Sequence, residues 1–220
     1  MSTFRFAIMG AGNIAHQFCD AVTLVEDCEV SAIASKDLGR AQKFAEECSV
    51  AHAYDNYEQM LIEEKPDCVY IAVTPNDHFR LTMLCLEHRV PVLCEKAMFT
   101  NSAEAKAVFE KAEKDQTFVM EAMWSRFLPA VNQAKKWATE GKIGRLEALQ
   151  GRIGFLAPEG ADNRYHSPLL CGGAATDITV YAYEIATWLV NEPVRKTYAA
   201  ANLDQTGVDS ASYTHLRAHE

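Results

Sequence analysis

The sequence predicts an α/β protein: a doubly wound parallel sheet of the Rossmann kind, followed by a second α/β domain with an open, largely antiparallel sheet. Three observations predict it. A β-rich apolar run from Phe4 stops at Gly10 and gives way at once to an amphipathic pattern, with Ile14, Phe18, Val22 and Val25 at helical spacing. Short apolar runs then alternate with helical stretches as far as Met120, as repeated βα units do. From Ala130 the pattern changes, and residues 143–155 alternate apolar against polar, as suits a sheet with one wet face.

The first βα unit carries a fingerprint. Gly10, Gly12 and Ala15 stand where G-x-G-x-x-G/A wants them. Gly10 permits the sharp turn, Gly12 keeps side-chain atoms away from a pyrophosphate, and Ala15 lets helix and strand pack closely. Phosphates then sit at the helix N-terminus, beside Asn13 and Ile14, where N–H groups and the helix dipole favour an anion. The bland alternative is a glycine turn in an ordinary βα unit.

The second strand, over 29–34, ends in Ser35-Lys36, with Arg40 a turn further on. An acidic residue at this strand end would hold the ribose hydroxyls of NAD. A hydroxyl and two cations suit a 2′-phosphate better, which favours NADP. Alternatively Lys36 and Arg40 are solvated surface charges, a reading that Asp37 beside them supports.

A helix follows over 40–48, and Asp55 with Glu58 makes a capping box for a helix ending near Glu64. Residues 68–73 are apolar throughout, as in a parallel strand covered on both faces. Thr74-Pro75-Asn76-Asp77-His78 comes directly after, at the carboxyl end of that strand, where ligands bind. Thr74, Asn76 and His78 are therefore candidates, although a histidine there equally serves as a helix-start residue bonded to backbone. The strand over 90–94 ends in Glu95-Lys96-Ala97, and a lysine at a strand end is better explained by a cofactor cleft than by packing. Ser102 caps a helix to about Lys114, and 118–120 is a further strand running into Glu121-Ala122-Met123-Trp124-Ser125-Arg126. The domain boundary falls near Ala122, giving residues 1–122 and 123–220. Beyond it come a helix over 130–140, a long strand over 143–155 and a loop over 157–170. Gly172-Gly173 then opens an apolar helix through Val190, and a strand spans 194–201.

The bulk composition narrows the class. With 220 residues, 49% apolar and 23% charged, the chain is that of an ordinary soluble protein of one large domain or two small ones. A net charge of −9 argues against nucleic acid as partner, and no apolar run approaches a membrane span. The seven cysteines form no C-x-x-C and no metal-type cluster, and they read as reduced cytoplasmic thiols. No metal is expected.

With Gly10-Ala11-Gly12-Asn13-Ile14-Ala15, Thr74-Pro75-Asn76 with His78, Glu95-Lys96, and Gly172-Gly173-Ala174 with Asp177 and Tyr181, the chain resembles the Gfo/Idh/MocA oxidoreductases. The segment from Glu121 to Pro129 is closer to their dihydrodiol and NADP-dependent D-xylose dehydrogenase branch. The resemblance implies a Rossmann domain (1–122) and a substrate domain (123–220), with NADP, or less favourably NAD, as cofactor. It further implies hydride transfer to or from a CH–OH (or CH–CH) group of a sugar or cyclic diol, and a homodimer joined through the second-domain sheet. Lys96 matches the family's Glu-Lys-Pro lysine, and Asp177 with Tyr181 match its Asp-x-x-x-His/Tyr pair. The resemblance also places Gly10, Gly12, Asn13, Ile14, Ser35, Lys36, Arg40, Thr74, Asn76, His78, Glu95, Lys96, Trp124 and Arg126 around the cofactor.

Three positions depart from the pattern: Ala97, Cys171 and Thr179. Family chains also continue for roughly a hundred residues more, a normal second-domain size. Residues 210–220 show no period and no likeness to the family, so a truncated frame or a read-through tail is expected after about Val208.

Asp177 and Tyr181 are four apart, one turn along a helix. Oxidising a hydroxyl needs a base for its proton while hydride leaves. A free tyrosine titrates near 10, and a nearby cation would favour its ionised form. The implied roles are Tyr181 as acid/base, Lys96 as electrostatic partner and substrate hydrogen bond, and Asp177 as orienter. A core tyrosine remains the alternative, since Ile185 and Trp188 continue an apolar stripe. Two rival functions stay open: a silent NADP-binding regulator, and an inert fragment of the same fold.

Overall fold

The computed structural model describes residues 3–158, 160 and 163–217. The chain divides into two compact units, Met1–Ala122 and Met123–Glu220.

In the first unit, β1 (Phe4–Met9), α1 (Asn13–Val22), β2 (Cys28–Ala34), α2 (Leu38–Cys48), β3 (His52–Tyr54), α3 (Tyr57–Glu64), β4 (Cys68–Ile71), α4 (Pro75–Glu87), β5 (Val92–Cys94), α5 (Ser102–Asp115) and β6 (Val119–Glu121) alternate without exception. The strands form one parallel sheet in the order β3-β2-β1-β4-β5-β6. Strand alternation divides the core between the two faces of this sheet. Ala7, Met9, Val69 and Ile71 pack with Met60, Leu61, Leu81 and Cys85 on one face. Ile8, Ile33 and Tyr70 pack with Ala15, Cys19 and Phe44 on the other. Strands buried on both faces must read as continuous apolar runs, and β4 is buried at all four positions.

Two caps differ from the expected ones. Asn56, not Asp55, accepts from Gln59 N at α3, and Asn101, not Ser102, accepts from Ala103 N and Glu104 N at α5. Asp37 caps α2 by accepting from Arg40 N, so that helix starts two residues earlier than its apolar spacing indicates.

The second unit holds α6 (Pro129–Thr139), a π-helical turn (Ala175–Thr179) running into α7 (Val180–Val190), and an antiparallel pair, β7 (Lys196–Leu203) with β8 (Asp209–Arg217). Two expectations fail here. Residues 143–155 form no strand, because their backbone finds no ladder partner among the described residues. The segment after Val208, expected to be a truncated frame or read-through tail, carries β8 instead, which pairs along its length with β7, from Lys196↔Arg217 to Leu203↔Asp209. Its side chains also tie down the helix. Asp209 accepts from Ala175 N at 2.7 Å, Thr179 bonds Ser212 at 2.9 Å, and Tyr183 bonds Thr214. Positions 218–220, and 159, 161 and 162 of the loop over 157–170, lie outside the described residues. Among the described residues, the buried apolar side chains of this unit are Met123 and Val208. Among the described residues no helix is long and apolar enough to cross a membrane.

Candidate active site

The order of the sheet reverses between β1 and β4, and the loops after these two strands define the crevice where α/β folds bind ligands. Gly10 leaves β1 at φ +110°, and a Cβ there would stand 2.7 Å from the carbonyl oxygen of Ala72 after β4. Both the torsion and the close approach exclude any other residue. Gly12 differs. Its φ of −105° suits any L-residue, and a Cβ on it would meet nothing nearer than Ala72 O at 3.9 Å. The chain's own packing does not require glycine there, whereas a ligand lying against the loop does. No side chain caps α1 at Gly12, and no acidic residue stands in its first turn. Space at Gly12 and an uncapped, positively polarised helix start, with Asn13 and Ile14 as its first residues, fit a dinucleotide pyrophosphate.

At the end of β2, Ser35 is buried and held by its N–H to Tyr54 O at 3.0 Å. Arg40 reaches back from α2 to Ala11 O of the glycine loop at 3.2 Å, so a cation does stand against the fingerprint. Lys36 is engaged elsewhere, paired with Asp77 at 2.5 Å, and Arg80 joins the same carboxylate at 3.4 Å. Burial pushes the Asp77 carboxyl up, but the Lys36 and Arg80 cations outweigh it and hold the group below its usual range. Any phosphate drawing on Lys36 competes with Asp77, a partner that stands in the quoted motif yet was not singled out in the sequence.

Thr74 occupies the α4 N-cap without a side-chain cap bond, and Asn76 is exposed in the first turn. His78 takes the second of its two readings, a helix-start residue bonded to backbone. It is fully buried, with Nδ1 3.0 Å from Ala97 O and 3.2 Å from Met98 O, and Nε2 3.0 Å from Val73 O. Both nitrogens are engaged by backbone, so His78 staples the β4 loop to the Lys96 loop and does not line the crevice. Burial pushes its imidazole below the ordinary value.

Glu95 and Lys96 leave β5 half-buried. Glu95 accepts from Tyr70 OH at 2.5 Å and from Lys96 N at 3.1 Å, while Glu121 accepts from Met98 N at 2.9 Å. Burial pushes the Glu95 carboxyl up in spite of these donors. Two carboxylates thus pin the backbone that presents Lys96. The Lys96–Ala97 peptide bond is cis.

In the second unit, Asp177 lies in the π turn and pairs with Arg164 at 3.2 Å. Tyr181 lies at the start of α7 and accepts the indole N–H of Trp124 at 2.9 Å. Arg126 and Ser125 both bind Glu184, so Arg126 is committed to a carboxylate three residues beyond Tyr181. Trp124 and Arg126 therefore stand as supports of α7. Arg164, Glu184 and Tyr70 were not found by sequence reasoning, since their pairings span from 13 to 59 positions and leave no local spacing. His166 pairs with Asp204 at 2.7 Å.

Comparison with known proteins agrees with this architecture. Residues 4–123 match the oxidoreductase family with NAD-binding Rossmann fold, and residues 131–219 match the GFO/IDH/MocA C-terminal domain. The second match covers the segment expected to be foreign to the family. A trans-1,2-dihydrobenzene-1,2-diol dehydrogenase of Mus musculus is 32% identical over 211 residues, 93% of this chain and 62% of its own length. A D-xylose 1-dehydrogenase (NADP(+)) of Haloferax volcanii is 29% identical, over 93% of this chain and 63% of its own. A 3-ketoreductase from Actinomadura kijaniata, solved with TDP-benzene and NADP, superposes with TM-score 0.90 at 23% identity, over 99% of this chain and 67% of that one. The chain thus spans less than two thirds of the length of these curated relatives. The two family matches and the glycine loop at the switch point lead to one conclusion: the chain belongs to the Gfo/Idh/MocA oxidoreductases with an NAD-binding Rossmann fold.

Proposed function

We propose that the chain serves an NADP-dependent dehydrogenase that moves hydride between the nicotinamide and a CH–OH group of a sugar or cyclic diol. The observation that carries the reading is Gly12, a glycine that neither torsion nor internal packing demands, beside an uncapped helix start. The named activities of the mouse and Haloferax relatives support the substrate class. When bound, NADP supplies hydride acceptance. The chain's own groups do the rest. Residues 1–122 hold the dinucleotide, with Arg40 and Lys36 taking the 2′-phosphate, and residues 123–220 take the substrate. Lys96 supplies a cation and a hydrogen bond to the substrate oxygen. Tyr181 takes the hydroxyl proton at its phenol oxygen, steadied by the Trp124 N–H. Asp177, fixed by Arg164, orients the substrate hydroxyls. We further propose a homodimer through the β7–β8 sheet, since β7 is exposed along its whole length. The test is a titration with NADP and NAD, followed by an aldose and diol panel with nicotinamide absorbance as readout. Light scattering measures the oligomer.

A further inference from the structure

Where α1 and α2 pack together lies a group of side chains that the proposed dehydrogenase chemistry does not use. Cys48 ends α2, and its sulfur is 3.2 Å from Nδ1 of His16 on α1. The other ring nitrogen of His16 is 3.6 Å from the Glu47 carboxylate, and the ring packs on Phe44 with centroids 4.3 Å apart. Carboxylate, imidazole and thiol therefore follow in line. The tautomer with its N–H toward Glu47 turns a lone pair toward the sulfur. Cys19 of α1 belongs to the same packed cluster as Cys48. Cys19, Cys28 and Cys48 all line one cavity of about 430 Å³, with Arg5 and His52 on its wall.

This differs from a set of inert core thiols. Burial pushes the Cys19 thiol up to about 12 and raises Cys48 as well, with Asp20 and Glu47 adding to the rise at Cys48. Neither sulfur rests as thiolate, so attack needs a base that removes the proton as the bond forms. His16 is placed to be that base, and Glu47 to hold the imidazolium.

We propose that Cys48 is a thiol–disulfide exchange site for a small disulfide such as oxidised glutathione, with His16 as base, Glu47 as its orienter and Cys19 as the resolving thiol. In the first step His16 Nδ1 takes the Cys48 proton. The sulfur attacks one sulfur of the small disulfide, whose S–S bond breaks, and one small thiol leaves carrying a proton. In the second step the Cys19 sulfur attacks that of Cys48, displaces the second small thiol and passes its proton to it. Two protein thiols are oxidised to one disulfide, and one small disulfide is reduced to two thiols.

The experiment incubates the 220-residue chain with oxidised glutathione, blocks the remaining thiols with N-ethylmaleimide and maps unreduced peptides by mass. The wild type should form the Cys19–Cys48 bridge, and Cys19→Ser should stop at a glutathione adduct on Cys48. His16→Gln should slow modification of Cys48 at least about tenfold. The rate at Cys28 in the same sample reports on folding, and it should match wild type. If His16→Gln disturbs that control, Glu47→Gln decides instead, since Glu47 is half-exposed, and it too should slow Cys48. An adduct on Cys28 or Cys171 ahead of Cys48 overturns the proposal. So does a bridge that forms as fast without the His16 imidazole, or without the Glu47 carboxylate, as with it.

Discussion

Trp124 donates its indole N–H to the phenol oxygen of Tyr181 at 2.9 Å, with the two rings edge to face at 6.0 Å. The contact does not stand alone. The next two residues, Ser125 and Arg126, both bind Glu184, one turn along α7 from Tyr181. Three consecutive side chains thus fix the rotation of α7 and the position of one oxygen. A core tyrosine in an apolar stripe would not need such a clamp.

Tyr181→Phe keeps ring and packing but removes the oxygen. In a chain extended to the relatives' length, turnover should fall by roughly 10²–10⁴-fold with NADP affinity unchanged. Trp124→Phe removes the donor while keeping an aromatic ring; the lost bond is worth about 1 kcal/mol, and kcat should fall by about fivefold. Steady-state kinetics separates these outcomes, and full activity of Tyr181→Phe would place the base elsewhere.

The two glycines should part company under the same substitution. Gly10→Ala meets Ala72 O at 2.7 Å in a positive-φ conformation and should destabilise the first unit by about 2–5 kcal/mol. Gly12→Ala should change stability by less than about 1 kcal/mol while weakening dinucleotide binding at least about tenfold. Thermal melts and nucleotide titrations on both variants give the four numbers.

Asp209 ties β8 to the helical segment through Ala175 N. Asp209→Ala should remove about 0.5–2 kcal/mol from the second unit, as loss of a helix-start acceptor does. Hydrogen exchange at the amides of Ala175–Thr179 should quicken, with those of β1 and β4 unaffected. Unchanged protection would mean that β8 is dispensable to the helix.

Much of the first unit was legible in sequence because the governing forces are local. A strand covered on both faces must be apolar throughout, and β4 and the buried half of β1, residues 7–9, announce themselves so. The three-residue β3, with one residue exposed and two half-buried, is too short for any period to register. Residues 143–155 alternate as a strand should, but alternation specifies a face and not a partner. β8 shows the reverse: Ser, Thr and Tyr side chains conceal a strand whose evidence is its register against β7. His78 was readable only as a candidate, since the carbonyls of Ala97 and Met98 that hold it lie 19 and 20 positions away.

Acid should loosen the second unit through Asp204. The Thr206 hydroxyl, then His166, hold its carboxyl down at about 2. A folded value below the unfolded one near 3.9 means that the stabilisation is complete above that pH and fades as pH falls toward 2. Melts of wild type and Asp204→Asn between pH 6 and pH 2 should converge at the acid end. Parallel curves would remove Asp204 from the account.

The Lys36–Asp77 pair gives nucleotide preference a test of its own. Lys36→Ala with Arg40→Ala should weaken NADP on the order of 10²-fold, two charge-assisted bonds, and leave NAD nearly unchanged. Asp77→Asn releases Lys36 and should raise the preference for NADP by up to about fivefold. Equal losses for both nucleotides in the double variant would show that these cations read nothing specific.

In the proposed NADP site the loop from Gly10 to Ala15 takes the pyrophosphate, and Lys36 and Arg40 take the 2′-phosphate. Calorimetric titration of the 220-residue chain with NADP and with NAD tests this central claim most directly. Saturable one-site binding, tighter for NADP than for NAD, is the expected result. Binding of neither nucleotide, or of NAD as tightly as NADP, would contradict the account.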